Sequence, residues 1–260
     1  MGVIKILFLY VYFDILAFVL GTVFGSFINC MAWRIVHGES VIRGRSHCAV
    51  CGHVLAAGDL IPLLSYAVRR GKCRYCGEKI SPRYPVTELL TGSAFLGAAL
   101  RFPLSFPAVR IMVLSCILMG LSLVDLDSYE IPDRFSAAGI IWWAATVPLV
   151  DKPWTLQLRE GLTGAVVIAG GMLLLSLLFD KITGKESLGG GDIKLLFMLD
   201  LYLGPWIGLL HLILACLTGL LFVAVRKQKK IPFGPAISLA GYICLLFGDA
   251  FLKWYLSLLM

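Results

Sequence analysis

The chain has 260 residues, of which 59% are hydrophobic and 15% charged, with a net charge of +7 and a mean hydropathy of +0.87. No single water-soluble core hides that much apolar surface, so a soluble globular enzyme is excluded and lipid must act as part of the solvent. At about 20 residues per crossing of a hydrocarbon layer about 30 Å thick, the length leaves room for about eight helices and one modest soluble insert.

The first apolar stretch runs from Ile4 to Ala32, with Trp33 and Arg34 closing it as interfacial anchors. It is too long for the apolar region of a signal peptide and has no small-residue cleavage site, so it is expected to stay as the first span. Residues 34–85 then change character, with four cysteines, many basic residues and no apolar run of spanning length. Apolar segments resume at Val86–Leu100, Ile111–Val124, Phe135–Val150, Gly161–Phe179, Ile193–Leu203, Trp206–Val225 and Phe233–Trp254. The expectation is an all-α polytopic membrane protein of about eight helices, with a small insert between the first and second.

With the amino terminus outside, residues 34–85, 125–134, 180–194 and 226–232 lie on the cytoplasmic side and hold seventeen of the twenty-three Lys and Arg. Basic residues concentrate on the cytoplasmic side of membrane proteins, so this orientation is the expected one. The run from Arg226 to Lys230 then reads as a membrane-facing flank with no nucleic-acid role.

Two acidic loops share that side. Ser187 to Lys194 reads S-L-G-G-G-D-I-K, three glycines removing every side chain before Asp192. Val124 to Asp133 reads V-D-L-D-S-Y-E-I-P-D, with Asp125 and Asp127 closing an apolar stretch and Pro132 stopping the helix. Any one of these acids alone reads as a solvated interfacial group or a helix cap. A pair of carboxylates in a partly dehydrated pocket shares one proton. The ionised member takes a proton from water while the neutral member polarises a peptide carbonyl, the chemistry of aspartic proteases, which needs no metal.

Cys48 and Cys51, and Cys73 and Cys76, form two C-x-x-C pairs separated by twenty-one residues. Two such turns supply four thiolates for a closed, structural zinc site, and a reducing cytoplasmic compartment disfavours the alternative of two disulfides. Cys30, Cys116, Cys216 and Cys244 lie in apolar runs and read as small packing residues. Asp200 and His211 match no motif; His211 is expected to be packed or hydrogen-bonded.

In order along the chain stand G-S-F-I-N-C-M-A-W-R at Gly25, the two C-x-x-C pairs, D-L-I-P-L-L-S-Y at Asp59, R-G-K-C-R-Y-C at Arg70 and I-S-P-R-Y-P-V-T-E-L at Ile80. D-L-D at Asp125, I-P-D at Ile131, G-G-G-D-I-K at Gly189 and I-P-F-G-P at Ile231 follow. This set resembles the type IV prepilin peptidases, bifunctional leader peptidases and N-methyltransferases of the GxGD aspartic protease class. The resemblance implies that Asp125 and Asp192 are the catalytic pair, with Asp127 as rival or support and Gly189, Gly190 and Gly191 as the turn beside them. It implies S-adenosylmethionine as methyl donor, with Gly71, Lys72, Asn29, Arg34 and Glu88 at or near its site. It further implies a prepilin or pseudopilin substrate and a place in the bacterial inner membrane. The division expected is a first helix over 1–33, a zinc insert over 34–85 and a seven-helix peptidase domain over 86–260. A GxGD protease without methyl transfer, or a zinc-regulated membrane transporter or binding protein, are the other classes that share parts of this pattern.

Overall fold

The computed structural model describes residues 2–150, 152–184, 188–226 and 231–259. Ser187 and positions 227–230 of the basic run lie outside the described residues. Among the described residues eight α-helices follow one another: α1 (Gly2–Val36), α2 (Leu64–Val68), α3 (Arg83–Arg101), α4 (Phe106–Ser128), α5 (Asp133–Thr146), α6 (Trp154–Thr183), α7 (Gly190–Arg226) and α8 (Gly234–Leu259). Among the described residues there is no β-strand, only two isolated bridges. All eight expected apolar stretches are helical over nearly their whole length.

Among the described residues five helices are long and apolar enough to cross a membrane: Lys5–Val36, Phe106–Ser128, Trp154–Thr183, Gly190–Ala224 and Gly234–Leu258. Helices α3 and α5, with 19 and 14 residues, are not among them. The outward faces of the long helices α6 and α7 are apolar, as the 61% exposure of Leu174 and 65% of Leu220 and Leu221 show, so lipid completes the burial that the protein does not. The protein is a multi-pass membrane protein.

Two of the eight expected stretches lie in the single element α7, and its backbone shows why they are separate. Gly204 breaks the helix with φ 72° and ψ 179°, and Pro205 follows it. His211 Nδ1 lies 3.0 Å from Asp200 Oδ1, although eleven residues of continuous helix would hold them about 16 Å apart. The chain therefore doubles back at Gly204 into two antiparallel arms. Only glycine adopts this backbone without strain, which is why the hairpin falls on Leu-Gly-Pro.

The chain forms two compact units, Met1–Leu123 and Val124–Met260. In the first, α1 and α3 approach closely: a Cβ on Gly21 would lie 2.7 Å from the Thr91 carbonyl oxygen, and one on Gly25 2.9 Å from the Glu88 Cα. The G-x-x-x-G spacing of Gly21 and Gly25 is what lets the two backbones meet in lipid, where packing rather than water exclusion holds helices together. In the second unit, the first arm of α7 is the central helix, with Leu195, Leu196, Met198 and Leu199 fully buried. Helix α8 runs alongside it in the same direction, Gly234 near the level of Gly191 and Gly241 against Leu199, while α6 runs opposite, with Gly161 against Leu201.

Candidate active site

The insert of the first unit is built from two copies of one turn. The Cys48 amide donates to the His53 carbonyl and Gly52 N to the Cys48 carbonyl; 25 residues on, Cys73 N donates to Glu78 and Gly77 N to Cys73. The bridges His47–Val54 and Lys72–Lys79 flank the two turns at the same offset. Gly52 and Gly77, at φ 69° and 74°, close each turn in the left-handed region. The four Sγ atoms lie within 4.8 Å of one another, and Cys48 and Cys76 are 3.9 Å apart. A tetrahedral zinc with Zn–S bonds of about 2.3 Å has sulfurs about 3.8 Å apart, so the cluster fits the ion.

The thiols themselves fit a cation as well. The backbone amide of Cys51 holds the Cys48 thiol down to about 7. The Glu78 amide pulls Cys76 down, yet lost hydration and the three neighbouring sulfurs carry it up to about 12. Four thiols so close shed all their protons only with positive charge among them.

Beside the cluster, and wholly within the first unit, lies a cavity of about 450 Å³. Asn29, Arg34, Lys72 and Glu88 line it, as do Trp33, Tyr66 and Tyr84; Gly71 does not. Gly71 has φ 69°, and a Cβ there would lie 2.9 Å from the Tyr66 hydroxyl, so its place is in the turn behind the wall. Arg34, 6% exposed, donates through its guanidinium to the carbonyls of Ser40, Val41, Arg43, Gly44 and Arg45 at 3.3 Å each. It organises the start of the insert as a buried hub. Buried Glu88 accepts from the Leu63 amide at 2.7 Å, and Asn29 donates to the Tyr84 carbonyl at 3.4 Å. Both are thus hydrogen-bond partners that tie the helices to the insert. The Asp59 of D-L-I-P-L-L-S-Y joins Arg69 at 3.0 Å and the Tyr75 hydroxyl at 3.3 Å.

In the second unit the structure separates the two acids of D-L-D. Asp125 is 4% exposed, whereas Asp127, on the opposite side of the helix end, is exposed. The backbone amide of Gly234 donates to Asp125 Oδ2 at 2.8 Å. Gly234 opens α8, where amides have no intrahelical acceptor and the helix end favours a negative charge. Asp192 is the third residue of α7; its amide donates to the Gly189 carbonyl at 3.0 Å, and its carboxylate is within electrostatic reach of Asp125. Gly189 is exposed, and a Cβ there would lie 3.1 Å from Asp192 Oδ2, while Gly190 borders open space. Ile131 packs between the glycines: a Cβ on Gly191 would be 3.0 Å from its Cβ, and one on Gly234 3.1 Å from its Cδ1. Asp133 pairs with Lys194 at 2.6 Å, so both motifs are also joined at the surface.

Gly234 and Ile131 are site residues that the sequence motifs contain but assign no part. Away from the acids, His211 joins Asp200 through Nδ1 and the Ile237 carbonyl through Nε2 at 3.1 Å, as a packed and hydrogen-bonded residue should. Because Nε2 must donate to that carbonyl, one proton is held between Nδ1 and Oδ1.

An all-helical membrane protein with two acids at its helix ends, framed by glycines, has the arrangement expected of a membrane-embedded peptidase. Residues 19–102 match the bacterial peptidase A24 N-terminal domain and residues 112–224 the type IV leader peptidase family. The chain belongs to the type IV leader peptidase family and is an enzyme. It is 37% identical over 257 residues to the type 4 prepilin-like proteins leader peptide-processing enzyme of Escherichia coli O78:H11 (strain H10407 / ETEC), covering 87% of this chain and 91% of that protein. It is 36% identical to the prepilin leader peptidase/N-methyltransferase of Aeromonas hydrophila, over 82% and 75% of the two chains. To that of Bacillus subtilis (strain 168) it is 32% identical, over 93% and 97%. No solved structure matches significantly.

Proposed function

We propose that this chain removes the leader peptide from type IV prepilins or pseudopilins with Asp125 and Asp192, and that its first unit methylates the amine so exposed. The observation that carries the first step is the buried Asp125, held by the Gly234 amide and within electrostatic reach of the glycine-turn Asp192. One carboxylate takes a proton from water, whose oxygen attacks the scissile carbonyl carbon. The other acid gives its proton to the carbonyl oxygen. When the tetrahedral intermediate collapses, the C–N bond breaks and the leaving amine takes a proton from the pair.

A helix offers no free backbone to such a site, so the substrate must be extended where it is cut. The side-chain-free edge at Gly189 and Gly190 leaves room for that strand. The count of basic residues supports a site at the cytoplasmic face, and the family a bacterial inner membrane, so that a basic leader would meet acidic groups there.

For methyl transfer, the first unit's cavity of about 450 Å³ is of a size typical for small ligands, about 300–1,000 Å³. S-adenosylmethionine would supply a methyl group on a cationic sulfur. Trp33, Tyr66 and Tyr84 offer aromatic faces to a ring or a cation, and Asn29 and Glu88 polar groups at the inner wall. The four cysteines would hold structural zinc and with it the outer wall.

The test is a purified protein given a prepilin in vesicles with and without S-adenosylmethionine, followed by the mass of the product amino terminus. The expected product loses its leader in both cases and gains one methyl group only with the donor. An intact precursor in both would overturn the reading.

A further inference from the structure

Within the second unit a further cavity, of about 520 Å³, opens between α5, α6 and the first arm of α7. Its walls are nearly all apolar: Ile140 from α5, Ala169, Gly170 and Leu173 from α6, Phe197 from α7. On α6 it runs from Val166 to Leu173, seven residues or about 10 Å along the helix axis. On the cleavage reaction proposed above, the substrate is held in the membrane by an apolar helix that follows its basic leader. We propose that this groove is the docking site for the first two turns of that helix.

Two observations favour a peptide over lipid as its occupant. Ser136 lines the groove at 4% exposure, and its Oγ has no hydrogen-bond partner. That hydroxyl must turn toward the groove to meet an occupant; a peptide carbonyl has a spare lone pair for it there, and an acyl chain has none.

The second observation is where the groove opens. Its mouth is the ion pair of Asp133 and Lys194. Asp133 stands two residues from Ile131, which packs on the glycines of the acid pair, and Lys194 two residues from Asp192. Two residues of chain reach at most about 7 Å. A substrate cut at the aspartates therefore needs only a few extended residues before its helix enters the groove. The groove leads from that mouth along α5 and α7 into the span, the direction in which the substrate's helix leaves its leader.

Two neighbouring glycines of α6 allow a matched test. A Cβ on Gly170 or on Gly171 meets nothing within 4 Å, so neither position resists a large side chain. Only Gly170 lines the groove. Gly170→Phe and Gly171→Phe are compared with wild type on a full-length prepilin in vesicles and on a soluble peptide that keeps the leader and cleavage junction but lacks the apolar helix.

For the full-length substrate, Gly170→Phe is expected to raise KM about tenfold with kcat little changed, the sign of lost ground-state binding. The soluble peptide should be cleaved equally by all three proteins, and Gly171→Phe should match wild type on both. Ser136→Ala should raise KM for the full-length substrate alone. Equal behaviour of the two phenylalanine variants, or equal damage to both substrates, would overturn the groove; a groove holding only lipid gives the first of these. Wild-type protein that cleaves neither substrate would instead overturn the cleavage reaction itself.

Discussion

Replacing Gly234 by alanine tests whether a backbone amide holds Asp125 in its working position. Gly234 is not among the positive-φ glycines, so alanine adopts its backbone. By helix propensity the change should stabilise α8, by up to about 1 kcal/mol. The new Cβ, however, would stand 2.6 Å from Asp125 Oδ2, where ordinary contact begins at 3.4 Å. The carboxylate must shift by the difference, enough to break a hydrogen bond of 2.8 Å. A hydrogen bond to a charged group is worth about 1.5–3 kcal/mol. At about 1.4 kcal/mol per tenfold, kcat for leader cleavage should fall roughly 10- to 150-fold. The assay is single-turnover cleavage of a prepilin, run beside methylation of a pre-cleaved peptide and a thermal melt. Methyl transfer and melting temperature should hold. Cleavage at the wild-type rate, or loss of all three together, would refute the reasoning.

Protein purified without chelator should hold about one zinc per chain, and Cys48→Ser with Cys73→Ser should abolish it, as atomic absorption would show. A stoichiometry near zero in the wild type would remove the site. Gly25→Val should part α1 from α3, because even a Cβ there lies 2.9 Å from the Glu88 Cα; overpacking of this kind costs about 1–3 kcal/mol, and methyl transfer should fall more than cleavage. His211→Leu leaves Asp200 buried without its partner and should cost about 3–5 kcal/mol in denaturant unfolding. The double replacement Asp200→Leu with His211→Leu should recover most of that loss, which a double-mutant cycle measures.

Most of the membrane architecture was legible because lipid demands long apolar runs, and even the hairpin in α7 was marked by the Gly-Pro at 204 and 205. The cysteine turns were legible for a similar reason: C-x-x-C-G repeats at a fixed offset, and each glycine is needed where the turn goes left-handed. The pairing of Asp125 with Gly234 was not. Its donor is a backbone amide 109 residues away, and an amide leaves no side-chain signature. The D-L-D motif likewise could not rank its two acids, since only the orientation of the helix end buries Asp125 and exposes Asp127. Arg34 was read as an interfacial anchor and a neighbour of the methyl donor. Five backbone carbonyls converge on it in the folded insert, and no periodicity announces a loop that wraps one guanidinium.

The account stands or falls on which acids cut the peptide. The direct measurement is the amino-terminal mass of a prepilin after incubation with Asp125→Asn, Asp127→Asn and Asp192→Asn proteins, each also given a pre-cleaved peptide and S-adenosylmethionine. Asp125→Asn and Asp192→Asn should leave the precursor whole yet methylate the pre-cleaved peptide, and Asp127→Asn should still cleave. A protein with both Asp125 and Asp192 replaced that cleaves at the wild-type rate would contradict the account.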